Sequence, residues 1–232
     1  MMIGFGLDLT GYTTNKTCLS AVEAEGKTAH ATLLSGTVFS LLHKSSSRLA
    51  PVLAQEVKII NDCAKRGSVA VDVPIDLQSL VGSELPEQIW ALTCRPVDKE
   101  LRALRPLADR LGSAVARFKA IRATDGFEPI LGKNLFETYP AASLRASGCR
   151  TENYKQDTEA GEPARSAICQ HLNFDVLDLT DDEIDSIVCA LTAVEPADDA
   201  PLQRDQMPKG YVLLKSPPPF EKVSVKRKIF FE

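Results

Sequence analysis

One short run near the start of the chain alternates glycine with large apolar residues: Ile3-Gly4-Phe5-Gly6-Leu7-Asp8-Leu9. In an extended strand, successive side chains point to opposite faces. Ile3, Phe5, Leu7 and Leu9 therefore share one apolar face. Gly4 and Gly6 leave the other face bare except for Asp8, so another segment can come close to it. A strand over residues 2–9 with one carboxylate on an otherwise empty face constrains everything that packs around it.

The remaining sequence supplies that strand's neighbours. Residues 18–24 and 28–39 are strand-like, with Glu25-Gly26-Lys27 turning between them, which predicts three antiparallel strands. Residues 49–66 have helical spacing, and Gly67 stands where a C-terminal cap belongs. Residues 69–74, VAVDVP, form a compact apolar strand stopped by Pro74. Residues 76–130 are mixed, with charged helical stretches around 97–120, and read as an insertion or lid that overhangs the strand ends. A short strand follows over 133–139, then a small helix from Pro140, a polar loop over 150–163, and helices over about 162–173 and 181–195. Thr180 and Glu183 have the spacing of a capping box, and Ile184, Ile187, Val188, Leu191 and Val194 form the apolar side of the helix they start. Residues 209–215 are a late strand or docking segment. Beyond Ser216, three prolines and the run KVSVKRK predict an extended basic arm, so one domain over 1–215 carries a tail over 216–232.

Composition narrows the class. With 44% hydrophobic and 25% charged residues in 232, the chain has the balance of a soluble globular protein. No run approaches the roughly 18 apolar residues of a membrane span, and the start lacks the basic region and cleavage site of an export signal. Cys18, Cys63, Cys94, Cys149, Cys169 and Cys189 are scattered without zinc-site spacing, which suits free thiols in a reducing cytoplasm. A net charge of −4 argues against coating nucleic acid through bulk charge, but leaves room for an enzyme that grips a few phosphates.

The chemistry lies in acids set in apolar surroundings: Asp8, Asp72, Glu137, and the pair Asp182 and Asp185, three apart and so on one side of a helix. Each has a structural explanation as well. Asp182 suits a helix N-terminus, Asp72 can cap a turn before Pro74, and Glu137 can pair with an arginine such as Arg145. Taken together, the proposed element order sends them to the same edge. Buried carboxylates near one point repel one another, and hard divalent cations such as Mg²⁺ or Mn²⁺ relieve that repulsion. Arg95, Arg102, Lys155 and Arg165 are the candidate phosphate ligands. His30, His43 and His171 have no nucleophile to serve, and Trp90 and Phe118 read as packing residues. No dinucleotide fingerprint or phosphate-binding loop of the Walker type is present.

The segments GFGLDLTG, VAVDVPIDL, FETYPAASL, DDEIDSIVCALTA and KGYVLL resemble, in order and spacing, the family known as domain of unknown function 429, with RPVDKELR (95–102) and YKQ…AR (154–165) as weaker matches. The resemblance covers most of residues 2–215 and leaves out the tail. It implies a ribonuclease H-like fold, a mixed five-stranded sheet with flanking helices, and nuclease activity. Asp182 and Asp185 are also similar to an acidic pair in Holliday-junction resolvases of that superfamily, with Ser186 in place of the alanine that commonly follows. The expected chemistry is two-metal phosphodiester hydrolysis on a nucleic acid or nucleotide. Asp8 would bridge both ions, Asp72 and Asp185 would each complete one site, and Glu137 and Asp182 would assist. The alternatives are an actin-like ATP-binding phosphotransferase and a non-catalytic interaction module. No membrane partner is expected, and the tail is a candidate contact between copies of the chain.

Overall fold

The computed structural model describes residues 1–11, 17–35, 49–77, 94–106, 109–157, 159–194, 208–214 and 220–229. The strands are β1 (Met2–Asp8), β2 (Cys18–Glu25), β3 (Thr28–Ser35), β4 (Ser68–Val71), β5 (Leu135–Glu137) and β6 (Lys222–Ile229). The helices are α1 (Leu49–Arg66), α2 (Pro96–Glu100), α3 (Asp109–Arg122), α4 (Pro140–Ala146), α5 (Gly161–His171) and α6 (Asp181–Val194). Among the described residues no helix is long and apolar enough to cross a membrane.

The strands form one mixed sheet in the order β5-β4-β1-β2-β3-β6. β1, β2 and β3 run antiparallel to their neighbours in that trio, with Gly26 at a positive φ of 58° in the tight β2–β3 turn. β4 adds parallel to β1, β5 parallel to β4, and β6 parallel to β3.

The period-two alternation of β1 decides which helix lies on which face. Phe5 and Leu7, with Val69 and Val71 of β4, pack against Val57 and Ile60 of α1 and Val115, Phe118 and Ile121 of α3. The glycine face is covered by α6, whose residues from Ile184 to Val194 are all buried. The approach is backbone to backbone. A Cβ on Gly6 would lie 1.9 Å from the Ser186 carbonyl oxygen, and one on Gly4 2.4 Å from that of Ala190. Ser20 of β2 donates its hydroxyl to the Ser186 carbonyl at 2.7 Å, fixing the height of the helix over the sheet.

Three expectations need correction. Among the described residues the sheet has six strands, not five, because residues 222–229 are no loose arm; they pair along the whole of β3. Arg227 of that strand then holds Glu183 through Nε (2.9 Å) and one terminal nitrogen (3.0 Å), while Glu183 closes the expected capping box with Thr180. The basic run thus faces both ways, toward α6 as well as solvent, a role that charge alone did not reveal. Of the two readings of 209–215, the strand fails and the docking segment holds over the described residues: Tyr211 bridges Glu137, and Leu214 donates its N–H to the Ser143 hydroxyl. Lastly, α3 is no lid. Ala114, Val115, Phe118 and Ile121 recur at helical spacing and are buried in the core beside α1. Residues 36–39, 78–93 with Trp90, and 215–219 lie outside the described residues.

The glycine approach makes a direct test. Gly6→Ala should destabilise the protein by at least about 3 kcal/mol, since α6 must lift off β1 to admit one methyl group. Gly112→Ala, inside α3 with open space around its Cβ, should instead stabilise by about 0.5–1 kcal/mol. Urea denaturation of both variants compares them, and equal effects would contradict the packing described.

Candidate acidic site

Asp8 ends β1 on the same face as Gly4 and Gly6. Asp72 follows β4 directly, and its N–H donates to the Leu7 carbonyl at 2.9 Å, which sets it beside Asp8. Asp185 lies in the first turns of α6, the helix seated on that face. Three carboxylates distant in sequence thus meet because a strand, its parallel neighbour and one helix share a face.

Their electrostatics follow from this. Burial, then the charges of Asp185 and Asp72, hold the Asp8 carboxyl well above the ordinary carboxylate range. Burial, opposed by Lys155 and reinforced by Asp185 and Glu137, pushes Asp72 up to about 7. Burial also raises Asp185, against the pull of Lys155 and Tyr154. Neither Asp8 nor Asp72 accepts a side-chain hydrogen bond from a described residue, and Lys155 is the cation that opposes their mutual repulsion.

Asp185 is held by two consecutive residues of the 150–157 loop. The buried Tyr154 hydroxyl donates to Oδ1 at 2.9 Å, and the Lys155 ammonium stands 2.6 Å from Oδ2. The lysine contact is an ion pair by distance without hydrogen-bond geometry, and Oδ2 is fully buried with no hydrogen bond. Arg165 of α5 donates to the carbonyls of Tyr154 and Gln156, on either side of Lys155, at 3.2 and 3.1 Å. Gly161 is needed for this, because a Cβ there would lie 1.9 Å from the Gln156 oxygen.

A cleft of about 350 Å³ opens beside these groups, with Asp72, Tyr139, Arg145, Asn153, Tyr154 and Lys155 in its wall. Arg145 donates to the Leu101 carbonyl at 2.6 Å and lies over the Tyr139 ring, 5.6 Å from its centroid.

Glu137 and Arg95 line the same cleft as Asp72 and Lys155, but their polar atoms are committed to one another, and the other expected residues lie apart. Glu137 shares a sheet face with Leu135, which packs on the side opposite α6. Its carboxylate accepts from Arg95 through both oxygens and from the Ile75 N–H at 2.6 Å. Arg95 is only 2% exposed, and all five of its N–H groups are used by Asp98, Glu137 and the Asp76 carbonyl. It has no donor left for a phosphate. Its work is to tie the segment after Asp72 to β5 and α2. Arg102 is exposed, at a positive φ of 51°, and Arg165 serves the loop carbonyls. Asp182 adds repulsion on Asp8 but lines a separate hollow with Asp157, Glu162 and Arg165.

No group of three or more His, Cys, Asp or Glu side chains among the described residues is arranged to hold a metal ion. The donor chemistry nevertheless suits a hard divalent cation: the buried carboxylates of Asp8 and Asp185, the half-buried one of Asp72, raised pKa values, and the Asp185 Oδ2 without a hydrogen bond. The cationic place beside Asp185 is taken by Lys155. Residues 6–206 match the family described as Protein of unknown function (DUF429). The chain belongs to that family. No curated protein and no solved structure matches the chain. The matched span holds Asp8, Asp72, Asp185 and the Tyr154–Lys155 pair, and it stops short of β6.

Two measurements probe this description. A carboxyl whose pKa is raised on folding stabilises the native state at low pH and loses that contribution as pH climbs through the raised value. In chelator, the melting temperature should therefore fall between about pH 5 and pH 8, and Asp72→Asn should make the fall shallower. Each kcal/mol corresponds to about 2–4 °C in a domain of this size. Parallel pH profiles for the two proteins would show that Asp72 is not strained. Separately, Arg95→Met should cost about 3–5 kcal/mol by stranding Asp98 and Glu137 in the interior. A stable Arg95→Met protein in chemical denaturation would overturn the role given to Arg95.

Proposed function

We propose that this chain is a metal-dependent phosphodiester hydrolase, a nuclease on a ribonuclease H-like domain, acting on nucleic acid or nucleotide. The observation that carries the reading is the meeting of Asp8, Asp72 and Asp185 on one face, each raised above its ordinary pKa. The order of elements supports the fold assignment: three antiparallel strands, a helix, then strands added in parallel on the β1 side.

In this reading Asp8, Asp72 and Asp185 hold Mg²⁺ or Mn²⁺. The ion supplies Lewis-acid charge neutralisation at the phosphoryl group and lowers the pKa of water. The chain's own residues do the rest. Tyr154 fixes the direction of the Asp185 carboxylate through Oδ1. Arg145 and Lys155, both in the cleft wall, offer charge-assisted hydrogen bonds to a phosphate. Arg95 and Glu137, in the wall of the same cleft, keep the backbone after Asp72 in place.

A second reading, a non-catalytic interaction module, is favoured by the Lys155–Asp185 pair, which already partly neutralises the acids. One experiment separates the two. Purified protein is incubated with single-stranded, duplex and branched DNA and with RNA, in Mg²⁺, Mn²⁺ or chelator. Cleavage should need the metal, and Asp8→Asn and Asp185→Asn should each slow it by at least about a hundredfold, the scale on which a charge-stabilising group matters. Absence of cleavage from every substrate, with no metal bound, would favour the module instead.

A further inference from the structure

Lys155 stands out among the basic residues near the acids, because its ammonium is placed on them rather than toward solvent. Its nitrogen is 2.6 Å from Asp185 Oδ2 and 5.6 Å from the centroid of the Tyr154 ring. Asp185 is 0% exposed, and its Oδ2 receives no hydrogen bond, so that oxygen depends on a cation. The lysine side chain is 47% exposed, and its terminal charge sits on a flexible stem. The backbone on either side is held by Arg165, and Tyr154 keeps the other Asp185 oxygen. The side chain can therefore leave without loosening the loop or turning the carboxylate. Where it would go is also defined, since Lys155 lines the cleft that Arg145 shares.

We infer that Lys155 is a tethered counter-cation of the acidic site: it neutralises Asp185 and its neighbours until a divalent ion takes its place, and then turns its ammonium to an anionic ligand in the cleft. The inference rests on the metal-binding reading above and adds to it a competition. An ion carrying two charges displaces an ammonium carrying one, and the freed lysine becomes available to a phosphate only when the ion is present. Occupancy of the metal site and binding of the anion are thereby coupled through one side chain.

The test is calorimetric titration of Mn²⁺ into wild type, Lys155→Met and Lys155→Arg, with melting temperatures recorded in chelator. Lys155→Met should melt lower without metal, because the acids lose their counter-charge, yet bind Mn²⁺ at least about tenfold more tightly, a gain of 1.4 kcal/mol. Lys155→Arg, which keeps the charge, should stay close to wild type in both. Should Lys155→Met not fold, wild type alone gives the answer: Mn²⁺ should speed acetylation of the Lys155 amine severalfold, followed by mass spectrometry of the modified peptide. Wild type that binds Mn²⁺ while Lys155→Met binds it no better, or an acetylation rate that Mn²⁺ leaves unchanged, overturns the lysine's role and spares the metal reading. No Mn²⁺ binding by any of the three proteins overturns both. Binding by Lys155→Met alone supports the inference in its strongest form, with the lysine excluding the metal.

Discussion

The contact on which the rest of the molecule depends is the meeting of two backbones, that of β1 at Gly4 and Gly6 and that of α6 at Ser186 and Ala190. Side chains ordinarily keep a helix about 10 Å from a sheet, as they keep two sheets. Removing them at two alternate positions lets α6 settle deeper. Asp185 then reaches the end of the strand that carries Asp8. The closeness that buries the helix is also what forces like charges together, so packing and electrostatic tension have one cause.

Two buried arginines support this arrangement from the other side of the sheet and from the strand ends. Arg95 joins Asp98, Glu137 and the Asp76 carbonyl, and so fixes the segment after Asp72. Arg117 of α3 pairs with Glu56 of α1 and donates to the Thr10 carbonyl and the Thr17 hydroxyl, just beyond Asp8. In both cases a charged network holds an irregular stretch of backbone for which the sheet has no ladder partner. Such networks add little net stability over a well-packed apolar core, and their contribution is to fix one conformation.

Much of this was legible in the sequence. The alternation in β1 gave its two faces, and the capping box at Thr180 and Glu183 located the start of α6. The acids Asp8, Asp72 and Asp185 stood out as charges inside apolar runs. What escaped has physical reasons. Glu137 lines the acidic cleft, but its carboxylate is spent on Arg95 and the Ile75 N–H, a long-range pairing that local pattern does not encode. Arg95 read as a phosphate ligand because its partners Asp98 and Glu137 are 3 and 42 residues away, and only the closed fold brings the distant one near and occupies its donors. Tyr154 showed only as the first residue of the weaker YKQ…AR match, since a tyrosine in a polar loop says nothing of the carboxylate it meets. The tail was misjudged because Val223 and Val225 alternate with basic residues too briefly to outweigh the prolines before them.

The pairing of β6 with β3 has a kinetic side. It joins Thr28 to Lys222 and continues to Ser35 and Ile229, so the last strand of the sheet closes a loop of nearly the whole chain. Contacts so remote in sequence form late and slowly, because loop closure must precede any gain from pairing. During synthesis the first three strands and α6 emerge from the ribosome well before β6, and until it arrives β3 is an open edge able to pair with another chain. Crowding of nascent chains is therefore the condition under which this protein is most exposed to misassembly, and Lys222, Lys226 and Lys228 are well suited to keep the finished edge from recruiting further strands.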